Sequence, residues 1–173
     1  MVILINTIIS LDQARKTGYA VFQKDSSEWT LIDHGIITSK FEDYEDVSLD
    51  ISNKVQRLIN KYNPELIVLE DVQSQSNLAS FKKLSMLLGI LIKTCDTNNI
   101  TYSVVSCNTW RSIIRNNLPY HGKRIQRTEW KKLSKQFTKD TYDLKVSDDV
   151  ADAICLGSHQ ITYVLEEEIG GRV

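Results

Sequence analysis

Asp149 and Asp152 stand three residues apart in "SDDVADAICLG", residues 147–157, a stretch without a lysine or arginine. Ser147 is a favourable helix N-cap, and acids in a first turn complement the positive end of the helix dipole. That accounts for Asp148 and Asp149 but not for Asp152, which lies beyond the first turn and shares a face with Asp149. Two more acids close apolar runs, Asp12 at the end of "TIISLD" and Glu70 at the end of "LIVLE". A carboxylate after a buried strand lands at the carboxyl edge of the sheet, where α/β folds build their sites. Four carboxylates in one cleft repel each other and take up protons unless cations sit between them. Hard oxygen ligands suit Mg²⁺ or Mn²⁺. Two such ions about 4 Å apart can activate a water and stabilise the leaving oxygen of a phosphodiester. Asp152 is therefore read as a metal ligand, in a cleft with Asp12, Glu70 and Asp149. Asp71 should point to the opposite side of its strand from Glu70. Asp148, one turn from Asp152, stays open as a further ligand.

Particular elements must carry these acids. "TIISLD", "TGYAVFQK" and "WTLIDHGIIT" read as three antiparallel strands, joined by "QARK" and "KDSSE". Val47, Ile51, Val55, Leu58 and Ile59 predict a helix from about Tyr44 to Tyr62, stopped by Asn63-Pro64. "LIVLE", branched and apolar on both faces, suits a central parallel strand. A long apolar helix, "ASFKKLSMLLGILIKTC", separates it from a further strand, "TYSVVS". "NTW" caps a helix entering a basic segment with a loop around "NNLPYHGK". A basic helix follows to about Phe137, and the helix opened by Ser147 runs to about Glu168. Val150, Ile154, Ile161, Val164 and Leu165 form its expected apolar face, with Asp149 and Asp152 on the other side. This order predicts an α/β fold, a mixed five-stranded sheet of three antiparallel and two parallel strands with helices on both faces. No repeat, low-complexity tract or linker divides the 173 residues, so one domain over residues 1–173 is expected.

An apolar fraction of 42% and a charged fraction of 25% are those of a soluble globular protein. No apolar run reaches the length of a membrane span, about 20 residues. "MVILINTIIS" lacks a basic leader and reads as a core strand rather than a signal peptide. Cys95, Cys107 and Cys155 form no CxxC pair and suit buried free thiols in a reducing compartment, the cytoplasm. The net charge of −1 hides a strong asymmetry. Arg111, Arg115, Lys123, Arg124, Arg127, Lys131, Lys132, Lys135 and Lys139 share a segment with a single acid, Glu129, giving it +8 against −9 for the rest of the chain. Segregation of this kind favours a polyanionic partner, although a solvated helical face has the same composition.

At these residues the chain resembles a known family. "SLDQARKTGYAVF", "LIVLEDVQSQSN" and "DVADAICLG" are similar to the three acidic motifs of the RuvC Holliday junction resolvases, members of the RNase H-like nuclease superfamily. The likeness runs from the first strand to the last helix. The Asn-Thr-Trp-Arg run and the low glycine content look most like a bacteriophage branch, that of lactococcal phages, which implies action in a host cytoplasm. The resemblance implies an RNase H-like fold and a homodimer that binds branched DNA (four-way junctions, and by extension forks). It implies paired, metal-dependent nicks that leave 5′-phosphate and 3′-hydroxyl ends. Asp12, Glu70, Asp149 and Asp152 match its catalytic tetrad. Arg111 and the Lys123/Arg124 pair fall near its phosphate-contacting residues, and Arg127 and Tyr120 in the same segment are further DNA-binding candidates.

The chain departs from the family at two places. The first motif usually runs Asp-Pro-Gly or Asp-x-Gly, and here it is Asp12-Gln13-Ala14. Cellular members carry a wedging aromatic shortly after the glutamate, where this chain has Gln73. A more permissive branched-DNA nuclease is therefore an alternative to a strict resolvase. Sugar kinases and actin-like ATPases also open on an acidic strand end, but they cradle phosphate with glycines that Gln13 and Ala14 replace, and they need two such domains. A non-catalytic junction-binding protein would have no use for four clustered acids. A related family that processes ribosomal RNA precursors would use the same tetrad. Trp110 and Trp130 stack bases or pack in the core. His159, two turns beyond Asp152, assists proton transfer or simply lies on the helix surface. Leu84, Leu87, Leu88 and Leu91 repeat at helical spacing, as core, or as the dimer contact that the resemblance places on this helix.

Overall fold

The computed structural model describes residues 5–26, 28–73, 77–116 and 125–170, the side chains of 166–170 excepted. Branched and apolar residues fill both faces of two segments, β1 (Thr7–Asp12) and β4 (Leu66–Glu70), which lie side by side as parallel strands. Strands buried on both faces read as continuous apolar runs rather than alternations. β2 (Lys16–Asp25) returns antiparallel to β1, and β3 (Glu28–Thr38) antiparallel to β2, with an irregularity between Val21 and Phe22. β5 (Thr101–Val105) pairs parallel to β4. The sheet order is β3-β2-β1-β4-β5, the expected mixture of three antiparallel strands and two parallel additions.

Helices cover both faces. α1 (Tyr44–Tyr62) and α2 (Leu78–Thr97) pack on one side, where Ile9, Leu11, Ile67 and Leu69 meet Val47, Ile51, Val55, Leu87 and Leu91. Asn63 ends α1 in the left-handed conformation, its N–H bonded to the Ile59 carbonyl, and Pro64 blocks continuation. Leu87 and Leu91 are thus core residues, while Leu88 packs at the margin. α3 (Cys107–Trp110), α4 (Ser112–Arg115), α5 (Arg127–Tyr142) and α6 (Asp148–Gly170) occupy the other side, against Ile8, Ala20, Phe22, Leu66 and Val68. Among the described residues, no helix is long and apolar enough to cross a membrane. All three cysteines are buried and free.

Three local expectations need correction. The cap of α3 is Ser106, whose hydroxyl accepts from the Thr109 N–H, rather than a residue of "NTW", because the strand already ends at Val105. The basic helix α5 continues past Phe137 to Tyr142, with Asp143 taking the left-handed conformation that stops it. α6 does not expose one polar side. It is sandwiched between the sheet and α5, so Val150, Ala151 and every residue from Ala153 to Ser158 is buried.

Close contact between α6 and the sheet depends on small residues. Ser10, fully buried on β1, donates its hydroxyl to the Ala153 carbonyl at 2.7 Å. A Cβ on Gly157 would stand 2.2 Å from the Phe22 ring and 2.6 Å from Ser10 Oγ. Overpacking of this kind costs about 3 kcal/mol when neither neighbour can retreat. Gly157→Ala should therefore lower the unfolding free energy by that amount, and an unchanged midpoint in urea titration would disprove so tight a contact.

Candidate active site at the carboxyl edge of the sheet

Alternation along the strands decides which acids meet. Ile8 and Ser10 of β1 face α6, so Asp12, next in the same alternation, does too. Leu66 and Val68 of β4 face the same way, and Glu70 follows them. Parallel pairing of Ser10 with Val68 and Leu11 with Leu69 brings Asp12 and Glu70 level at the carboxyl edge. Asp71 falls on the opposite alternation and is exposed, as expected.

Glycine 18 brings the other two acids in. It pairs with Asp12 across β1 and β2, and a Cβ there would stand 1.9 Å from the Asp149 carbonyl oxygen. No larger residue lets the first turn of α6 lie on this strand. Asp149 and Asp152 are thereby set beside Asp12. Burial, then the negative charges of Glu70 and Asp152, hold the Asp12 carboxyl well above the usual range; Asp149 adds to this. Glu70 lies close enough to Asp12 to favour the protonated form of the Asp12 carboxyl. Burial pushes Asp152 up to about 6, with Glu70 adding to the effect and the nearby Ser134 hydroxyl, Arg111 and Lys131 opposing it.

Asp148 does not join this group. Lys131 at 3.0 Å and Lys135 at 3.2 Å, both from α5, bind its two oxygens and hold its carboxyl below the ordinary range. The reading of Asp148 as a further ligand therefore gives way to an ion pair that ties the basic helix to the start of α6. Lys139 likewise pairs with Asp143. Part of the basic segment's charge is spent inside the fold, and Arg115, Arg127 and Lys132 remain exposed. Arg111 is wedged between two indoles, 5.2 Å from the Trp110 ring centre and 5.1 Å from that of Trp130. Both tryptophans are buried, so packing is their role rather than base stacking. Lys123, Arg124, Tyr120 and His121 lie outside the described residues. His159 sits two turns along α6 from Asp152, about 10 Å away at the helical rise, and so apart from the four acids.

As the side chains stand, no group of three or more acids, histidines or cysteines among the described residues is gathered tightly enough to enclose an ion. The donor set nevertheless fits a hard divalent cation. It consists of carboxylates alone, and Asp152 Oδ1 is buried without a hydrogen-bond partner. A buried carboxylate oxygen of that kind is costly unless a proton or a cation reaches it. Two contributors to the site were not read from sequence. Gln13 binds the Glu70 backbone, and the Trp110 indole N–H binds its carboxylate at 2.9 Å. The signal for Trp110 was general, since a buried indole N–H seeks an acceptor.

The raised carboxyls carry a sign. A folded-state pKa above the unfolded value means that the folded protein retains a proton the unfolded chain has lost. Stability of the metal-free protein is then fullest below about pH 4 as far as Asp152 is concerned, and it falls as pH rises through 6. Asp152→Asn should make the protein in EDTA about 3 kcal/mol more stable than the parent at pH 7.5 and close to it near pH 4. Paired melting curves at the two pH values check this; equal differences at both would exclude a buried charge as the cause.

Comparison with known proteins supports the same architecture. The family model for the crossover junction endodeoxyribonuclease RuvC matches residues 8–156. The enzyme of that name from Petrotoga mobilis is 25% identical over 150 residues, covering 86% of this chain and 90% of the relative. That from Caldicellulosiruptor saccharolyticus is 25% identical over 160 residues, covering 87% and 92%. Against the RuvC of Nitratidesulfovibrio vulgaris (strain Hildenborough) the identity is 25% over 95 residues, and the chain spans only 57% of that relative's length. Among solved structures, T. thermophilus RuvC in complex with Holliday junction substrate superposes with a TM-score of 0.73 at 13% identity, over 92% of this chain and 96% of that one. The yeast mitochondrial Holliday junction resolvase Ydc2 gives 0.54 at 16% identity, over 88% and 76%. At such identities the superpositions show a shared fold. The family match, in contrast, takes in both acidic strand ends and the first turns of α6, and on it this chain belongs to the RuvC family of crossover junction endodeoxyribonucleases.

Proposed function

We propose that residues 1–173 act as one RNase H-like nuclease domain, a Mg²⁺-dependent endonuclease that resolves four-way DNA junctions by paired nicking as a homodimer in the cytoplasm. The observation that carries this reading is the meeting of Asp12, Glu70, Asp149 and Asp152 at one sheet edge, two of them with carboxyls driven upward by burial and mutual repulsion. Asp12, Glu70, Asp149 and Asp152 would hold two divalent ions, with Mn²⁺ as a substitute for Mg²⁺. Such ions, when bound, lower the pKa of a water and stabilise the charge of an in-line displacement at phosphorus.

The remaining work belongs to the chain's own residues. Arg111 already has its guanidinium held between two rings, so little side-chain freedom is lost when it meets a phosphate. Exposed Arg127, on the first turn of α5, extends the positive surface beside the acids, with Lys123, Arg124 and Tyr120 as further DNA contacts from the same segment. Lys131 and Lys135 stay on Asp148 and keep that carboxylate from repelling the backbone. Phosphate contacts of this kind make binding steeply salt-dependent. A second reading, a permissive nuclease for forks and flaps, is favoured by Gln73, which is exposed beyond Glu70 and offers no aromatic wedge.

An end-labelled immobile junction, a fork and a matched duplex, each incubated in Mg²⁺ and in EDTA, test the proposal. Paired, Mg²⁺-dependent nicks confined to the junction are expected. Comparable cutting of the fork favours the permissive reading, and tight binding without cutting in Mg²⁺ refutes nuclease activity. Asp152→Asn should lose at least about two orders of magnitude in cleavage rate, while junction binding in EDTA is kept or tightened because a repelling charge is gone.

A further inference from the structure

Glu70 is held at three points, a feature that neither the acidic cluster nor the family match requires. Gln13 follows the strand-end Asp12 and is only 6% exposed. Its side-chain amide donates to the Glu70 carbonyl and accepts the Glu70 N–H at 3.0 Å. One side chain thus uses both backbone groups of Glu70, as a further residue of strand β1 would. Trp110, 1% exposed, donates its indole N–H to Glu70 Oε1 at 2.9 Å. An indole N–H donates one bond and accepts none, so it fixes the direction of that oxygen.

We propose that Gln13 and Trp110 are positioning residues that clamp Glu70, backbone and carboxylate respectively, in the orientation from which it binds the cation. The inference rests on the nuclease reading above and concerns how one of its four ligands is oriented. Each half of the clamp fixes a different freedom. The Gln13 amide ties the end of β4 to the loop leaving β1 and sets the level of Glu70 against Asp12. The Trp110 bond stops rotation of the carboxylate about its last torsion. That torsion is broad and nearly free without a partner, and a carboxylate beside other acids would otherwise turn away from them. The clamp also gives the unusual Asp12-Gln13-Ala14 sequence a physical meaning. Neither Gln13 nor Ala14 has a positive φ. Thr17 closes the loop instead, its hydroxyl donating to the Ala14 carbonyl at 2.7 Å. Ala14 can therefore stand where the motif usually has glycine, and Gln13 supplies bonds that the proline of Asp-Pro-Gly cannot.

Trp110→Phe keeps an aromatic ring beside Arg111 and removes the N–H donor together with the second ring, and Gln13→Met keeps the length and removes both backbone bonds. Partners of metal ligands typically contribute 10–100-fold to metal affinity or activity. Both variants should therefore weaken Mn²⁺ binding to the DNA-free protein about 10-fold by calorimetry, and raise the half-saturating Mg²⁺ for nicking similarly. The turnover number should fall about 10-fold or more, with junction affinity in EDTA unchanged within about twofold. A lower melting temperature with unaltered Mn²⁺ affinity and turnover would show a purely structural role and overturn the proposal. Should Trp110→Phe fail to fold, benzothienylalanine at position 110 preserves the bicyclic shape and removes the same donor, with the same expected and opposing results. Glu70→Gln is measured alongside. A parent protein inactive in Mg²⁺ refutes the nuclease reading, whereas an active parent with a fully active Glu70→Gln refutes Glu70 as a ligand and the clamp with it. An active parent, an inactive Glu70→Gln and an unaltered Trp110→Phe refute the clamp alone.

Discussion

The approach of α6 to β1 and β2 is the contact on which the rest depends. Half of the acidic cluster is carried by the strand ends and half by the first turns of this helix, so the cluster exists only where the two touch. Gly18 removes the side chain that would strike the Asp149 carbonyl, and Gly157 does the same against Phe22. Ser10 then ties the helix backbone to the strand from a fully buried position. Between these points, Ala151 and Ala153 allow the helix to lie in a layer between the sheet and α5. Local packing of small residues thus holds together groups that electrostatics drives apart.

The resulting tension is managed by neighbours rather than removed. The Trp110 indole binds the Glu70 carboxylate, and Arg111 and Lys131 draw the Asp152 carboxyl down against the larger effect of burial. Asp148 is taken out of the cluster by two lysines, which at the same time dock α5 on α6. A basic helix is thereby fixed beside an acidic edge. Opposite charges placed side by side but not mutually satisfied suit a ligand that is anionic and arrives with cations, as a nucleic-acid backbone does.

The two tryptophans join these layers. Trp110 reaches Glu70 through its N–H while its ring face carries Arg111, and Trp130 closes the other side of the same guanidinium. A cation held between aromatic faces is attracted by both rings and fixed in direction. One small aromatic cluster therefore orients both a carboxylate of the acidic edge and an arginine of the basic segment.

Strand identity and sheet class were legible in the sequence because runs such as "LIVLE" and "TIISLD" need burial on both faces, and short connections leave few topologies. The four acids were legible for a related reason, since each sits where an apolar run ends or where a helix dipole explains only its neighbours. Asp149 was preferred to Asp148 along the chain, but Asp148 stayed open because both are favourable at a helix start, and only the position of α5 decides that lysines take the first. The end of α5 was missed because the stop at Asp143 is a left-handed residue without a glycine or proline to announce it. Gln13 and Trp110 were invisible as partners of Glu70, 57 and 40 residues away along the chain. By itself, then, the sequence determined which residues carry charge and which segments are buried, since those follow from residue type and period. The tertiary structure alone decided which carboxylates face one another and which are held by lysine, glutamine or indole, because hydrogen bonds and Coulomb energies depend on distances that sequence separation does not set.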